Sequence, residues 1–142
     1  MEIAIGILVS NSGQILMAQR PQDKIFGGFW EFPGGKKKSE ESPRDALKRE
    51  LKEELGIEAD ELFPWVTRRV SNKADILILH FYRVYRWTGK PKGVEGQRLS
   101  WESPMSVSVS PVLPANKIII KFLMIPEIYG LTSLNTIGQK RF

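Results

Sequence analysis

Three glutamates set close together, Glu50, Glu53 and Glu54, lie in a stretch whose pattern is otherwise helical. At about 100° per residue they share one arc of a helix, beside an apolar stripe of Leu47, Leu51 and Leu55. Carboxylates at this spacing repel by roughly a few tenths of a kcal/mol per pair, and by more when partly desolvated, unless a cation sits among them. Oxygen-only ligands suit a hard divalent ion, Mg²⁺ or Mn²⁺. Cations held this way neutralise phosphate charge, and a carboxylate beside them can take a proton from an attacking water. An arbitrary helix of this composition, with Lys48 and Lys52 interspersed, is more often a solvated charged face. The surrounding residues decide between the two.

The helix itself has both ends marked. Ser42 can cap it, Pro43 suits the first helical position, Asp45 completes a capping box and Gly56 suits the stop, so the spacing predicts a helix from Pro43 to Leu55. Before it, Gly27-Gly28-Phe29-Trp30-Glu31-Phe32-Pro33-Gly34-Gly35 reads as a short aromatic strand running into a tight glycine turn. Further upstream, Ile3 to Ser10 and Ile15 to Arg20 flank the turn Asn11-Ser12-Gly13-Gln14, which predicts a hairpin ending with Arg20 at the mouth of a loop. After the helix, Glu58 to Pro64 reads as connection and Trp65 to Val70 as strand. Ile76 to Trp87 is a longer strand, apolar on both faces at first and then alternating, with His80 as a packed or edge histidine. Lys90 to Gln97 is a polar, turn-rich loop with one acid, Glu95. Pro104 to Pro111 fits strand or loop. Propensity makes Ile118-Ile119-Ile120 a strand, whereas Pro114-Ala115-Asn116 before it is compatible with a helix start. The element order predicts an α+β fold with a mixed sheet between helices.

Composition narrows the class. A chain of 142 residues with 42% hydrophobic and 26% charged residues fits one soluble globular domain. No apolar run approaches the roughly 18 residues of a membrane span, and Met1-Glu2-Ile3-Ala4-Ile5 lacks the basic start and cleavage site of a signal peptide. The absence of cysteine removes disulfide and thiolate chemistry and fits a cytoplasmic protein. A net charge of +5 fits an anionic ligand, nucleotide or nucleic acid, and Lys36-Lys37-Lys38 is a solvated loop with some attraction for phosphate.

Gly35, then five residues, Glu41, then seven, Arg49-Glu50-Leu51, one more, Glu53-Glu54, one more, and Gly56-Ile57 fill every fixed position of the Nudix box. The chain therefore resembles a Nudix hydrolase, and Trp30-Glu31-Phe32-Pro33-Gly34-Gly35 directly before the box resembles the MutT-like branch. The resemblance covers residues 1–124 and implies the Nudix αβα sandwich, with a mixed β-sheet. It implies a Mg²⁺-dependent nucleoside triphosphate pyrophosphohydrolase releasing a nucleoside monophosphate and pyrophosphate, acting on an oxidised guanine nucleotide such as 8-oxo-dGTP. In that reading the metal is held by Glu50, Glu53 and Glu54, by the Gly35 carbonyl and by Glu95 from its distant loop. Glu50 doubles as the base and Arg49 orients it, with Glu53 and Glu95 as the other candidates for the proton. Arg20, Phe32 and Gly34 meet the substrate. Asn116 opens a second helix and reads the base, its amide offering both a donor and an acceptor.

Two alternatives stay open: a CTP or other pyrimidine nucleotide hydrolase, and a non-catalytic nucleotide- or RNA-binding module. The partner implied is a nucleoside triphosphate, with no membrane, no stable nucleic-acid partner, and a monomer or dimer. Ile125-Pro126-Glu127-Ile128-Tyr129-Gly130-Leu131-Thr132 resembles the junction of proteins in which a MutT-like domain is fused to a thiamine-phosphate-synthase-like barrel. Residues 125–142 are thus expected to be a C-terminal extension, either the start of a truncated second domain or the vestige of a fusion.

Overall fold

The protein is described by a computed structural model over residues 1–71 and 74–124; the expectation for residues 125–142 lies outside the described residues. Among the described residues nine elements follow in order: β1 (Glu2–Leu8), β2 (Ile15–Gln19), β3 (Trp30–Glu31), β4 (Gly34–Lys36), α1 (Pro43–Leu55), β5 (Glu58–Ser71), β6 (Ile76–Thr88), β7 (Leu99–Glu102) and α2 (Pro114–Leu123). Four strands form a mixed sheet in the order β4-β1-β6-β5, with β1 parallel to β6, and three form an antiparallel sheet in the order β3-β2-β7. The helices cover opposite sides of β1. Leu47, Leu51 and Leu55 of α1 bury themselves with Ala4 and Leu8, while Ile119 and Ile120 of α2 join a second core with Ile5, Ile7, Trp30, Phe32 and Phe81. Each such buried leucine or isoleucine contributes roughly 1.5–3 kcal/mol. The expected α+β architecture, a mixed sheet between helices, is the one present.

Helix α1 has the expected ends. The Asp45 N–H donates to Ser42 Oγ at 3.1 Å, and Gly56 stops the helix in the left-handed conformation at φ 70°. Helix α2 forms despite its three isoleucines, because Pro114 opens it and Ile119 and Ile120 gain burial there.

Two expectations fail. The segments flanking Asn11–Gln14 make a tight turn, in which the Ser10 N–H donates to the Gln14 carbonyl at 2.8 Å, but they separate after one bridge, between Val9 and Ile15. Both hydrogen-bonding edges of β1 are occupied, by β4 and β6, so β2 passes to the other sheet and no hairpin forms. Residues 58–64, read as connection, belong to β5. Three register shifts along the β5–β6 pair let Ala59 and Leu62 stay buried, and Pro64 is tolerated because β5 is an edge strand. His80 is packed as expected, with Nε2 2.7 Å from Glu2 Oε1.

Candidate active site

The site is assembled where α1, the β3–β4 turn and the loop after β6 meet. Arg49, on α1, is its hub. Its Nε and Nη2 donate to the two Glu41 oxygens at 2.6 and 2.9 Å, its Nη1 to Glu50 at 3.1 Å and Glu53 at 3.3 Å, and its Nη2 also to the Lys36 carbonyl at 3.1 Å. A bidentate pair fixes the guanidinium plane and so fixes what the remaining N–H groups can reach. Arg49 thereby holds the Glu50 carboxylate against the backbone of Gly35, where an added Cβ would lie 2.3 Å from the Glu50 carboxyl carbon. Gly34 has no room either: its Cβ would meet the Ala4 carbonyl oxygen of β1 at 2.2 Å. The glycine pair is required by close approach on both sides.

Hydrogen bonding to Arg49, then a backbone N–H from Lys38, holds the Glu41 carboxyl down at about 2. Because the folded value lies below the unfolded one, this pair adds stability above about pH 4.5 and loses it as the pH falls toward about 2. Glu41→Gln should therefore melt below the wild type at pH 7. The gap in Tm should narrow steadily from pH 5 to pH 2, and a gap that ignores pH would detach Arg49 from Glu41.

Glu54, one helical turn on from Glu50, lines a cleft of about 520 Å³ together with Gly34, Gly35, Lys36, Glu95, Phe32 and Asn116. Burial, then the charge of Glu50 and to a smaller degree those of Glu95 and Glu31, push the Glu54 carboxyl up to about 8, against a hydrogen bond from the Gly34 backbone. No three acidic or histidine groups among the described residues close on one point as a finished cage; Arg49 holds Glu50 and Glu53 aside. The donor set nevertheless fits a divalent cation, since a desolvated carboxyl beside the charges of Glu50, Glu95 and Glu31 is stabilised in its ionised form by a cation among them.

The family pattern described as NUDIX domain matches residues 2–123. The chain belongs to the Nudix family. It is a hydrolase acting on a phosphoric anhydride, in a family that uses divalent metals and nucleotide substrates. It is similar to an 8-oxo-dGTP diphosphatase of Haemophilus influenzae, 36% identical over 124 residues, covering 87% of this chain and 91% of that protein. It is also similar to a CTP pyrophosphohydrolase of Escherichia coli, 41% identical over 114 residues, covering 79% and 83%. A MutT Nudix hydrolase from Burkholderia pseudomallei shares the fold with a TM-score of 0.75 at 24% identity, over 84% of this chain and 95% of its own. Among the described residues, no helix is long and apolar enough to cross a membrane.

Of the positions expected to serve this Nudix site, Gly34, Gly35, Glu54, Glu95, Arg20, Phe32 and Asn116 line one cleft, while Arg49, Glu50 and Glu53 form the ion-pair cluster adjoining it. Glu53 is the outlier, its side chain 55% exposed. Arg20 is more constrained than a phosphate ligand need be. Its Nε donates to the Ile25 carbonyl at 2.9 Å, and its Nη1 to both oxygens of Glu31 at 3.2 Å. Asn116 Oδ1 accepts the Phe32 N–H at 2.8 Å, which orients the amide and leaves the second lone pair of Oδ1 and the Nδ2 donors outside that bond. Three participants were not foreseen. Glu41 was visible as a box position but its hold on Arg49 was not, and Glu31 and Gln97 gave no local signal beyond lying next to the glycine turn and to Glu95.

Proposed function

We propose that this Nudix enzyme is a Mg²⁺-dependent nucleoside triphosphate pyrophosphohydrolase that cleaves the α–β anhydride of 8-oxo-dGTP, giving the nucleoside monophosphate and pyrophosphate. The observation that carries this reading is the cleft itself, whose lining combines the carboxylates of Glu54 and Glu95 with the Asn116 amide, held by the Phe32 backbone. Glu50, Glu53, Glu54, Glu95 and the Gly35 carbonyl are the groups that would hold the cation, which neutralises phosphate charge and acidifies water when bound. Glu50 takes the proton of the attacking water, and Arg49 at 3.1 Å fixes the carboxylate that receives it. Arg20 meets the phosphates. The domain spans residues 1–124, with 125–142 as an extension, and we assign the enzyme to the cytoplasm, as the lack of cysteine suggests.

Oriented by the Phe32 N–H, Asn116 can turn its Nδ2 donors to a base carbonyl such as the purine 6-oxo group. Asn116→Ala should raise KM for 8-oxo-dGTP by about tenfold or more and change kcat less, since a site built to hydrogen-bond such an edge discriminates strongly through it. Steady-state kinetics on 8-oxo-dGTP, dGTP and CTP with Mg²⁺, with product identification, test both points. The E. coli relative favours a second reading as a CTP enzyme. Preference of the wild type for CTP would support that reading instead, and a variant with unchanged base preference would remove Asn116 from base recognition.

A further inference from the structure

The last turn of α1 leaves carbonyls without partners inside the helix. The loop after β6 supplies them: the Lys92 N–H donates to the Leu55 carbonyl at 3.1 Å and the Val94 N–H to the Glu54 carbonyl at 3.1 Å. A third donor is a side chain, since Gln97 Nε2 reaches the Glu54 carbonyl at 3.2 Å. The other end of the same carboxamide, Oε1, accepts the Glu95 N–H at 2.9 Å. One planar group thus ties the backbone of Glu54 to the backbone of Glu95, two residues on separate elements that line the same cleft. Glu95 is exposed, so packing does not pin it. The local turn is tight: the Gly96 N–H donates to the Gly93 carbonyl at 3.0 Å, and a Cβ at Gly93 would lie 2.0 Å from the Gln97 carbonyl oxygen.

We infer that Gln97 is a positioning residue, whose carboxamide holds the Glu95 loop on the C-terminal end of α1 and so sets Glu95 beside Glu54. This rests on the reading of Glu95 as a cation ligand. A residue that merely capped the helix would affect stability alone. A positioning residue affects cation affinity, and only while Glu95 has a carboxylate to position.

The test compares Gln97→Ala, Glu95→Gln and the double variant in full-length protein, measuring Mn²⁺ affinity by electron paramagnetic resonance, kcat and KM with Mg²⁺, and Tm. Gln97→Ala should weaken Mn²⁺ binding by about tenfold, the scale usual for residues that hold a metal ligand in place. In the Glu95→Gln background the same change should cost less than about twofold, because the two act through one carboxylate. Gln97→Met, which keeps the length and lacks the hydrogen bonds, should reproduce the loss and serves if the alanine variant fails to fold. Equal losses in both backgrounds, or a fall in Tm with Mn²⁺ affinity intact, would overturn the inference while leaving the ligand reading in place. A Glu95→Gln variant that binds Mn²⁺ and turns over like the wild type would overturn both.

Discussion

Glu50→Gln should keep the fold and lose at least about 10²-fold in kcat, the lower end of what a positioned general base contributes. The substitution is nearly isosteric, and Arg49 keeps its bidentate hold on Glu41 and its bonds to Glu53 and Lys36, so Tm should change little. What disappears is the one carboxylate that Arg49 presses against Gly35 beside the cleft. Circular dichroism melting with single-turnover kinetics separates the two effects. A loss below tenfold would move the base elsewhere, with Glu95 next and Glu53 after it.

Glu54→Gln has effects of opposite sign on stability and on function. With EDTA present, the variant should melt above the wild type, since it removes a carboxyl that burial and the charges of Glu50, Glu95 and Glu31 hold at about 8. A folded value above the unfolded one costs the wild type stability as pH rises from about 4.5 to about 8, so the variant's advantage should grow over that window and level off above it. With Mg²⁺ the order reverses in effect: the wild type gains in Tm with cation concentration, as any ligand of the native state requires, while the variant gains little and loses most of its activity. Normal turnover by the variant, or by EDTA-treated wild type, would sink the metal assignment.

What could be read from the chain divides along the range of the interactions. The limits of α1 were legible because Ser42, Pro43, Asp45 and Gly56 act within a turn of their own positions. The partition of β1 and β2 into different sheets was not, because β1 takes its neighbours from β4 and β6, and no residue near Gln14 records that choice. The start of β5 was hidden for a related reason: Asp60, Glu61 and Pro64 look like loop residues, and only the bulged pairing with β6 makes them strand. At the site, the spacing on α1 put Glu50, Glu53 and Glu54 on one arc of the helix, whereas the place of Glu95 depends on carbonyls at a helix end some forty residues earlier. The same holds for Asn116, whose bond from the Phe32 N–H spans 84 residues and sets the orientation of its amide.

The parallel pairing of β1 with β6 also has a consequence for how the protein is made. The hydrogen bond between the Met1 amino group and the Ile76 carbonyl closes 75 residues of chain, and the seven residues of β1 pair with β6 in a single register. On the ribosome, β1 is synthesised before β6, and its β6-facing edge waits until the segment through Thr88 has emerged. Closing so long a loop before any reward is slow compared with local pairing. Until β6 has emerged, the edge of β1 that it will cover stays open to other chains, while β4 can already cover the opposite edge.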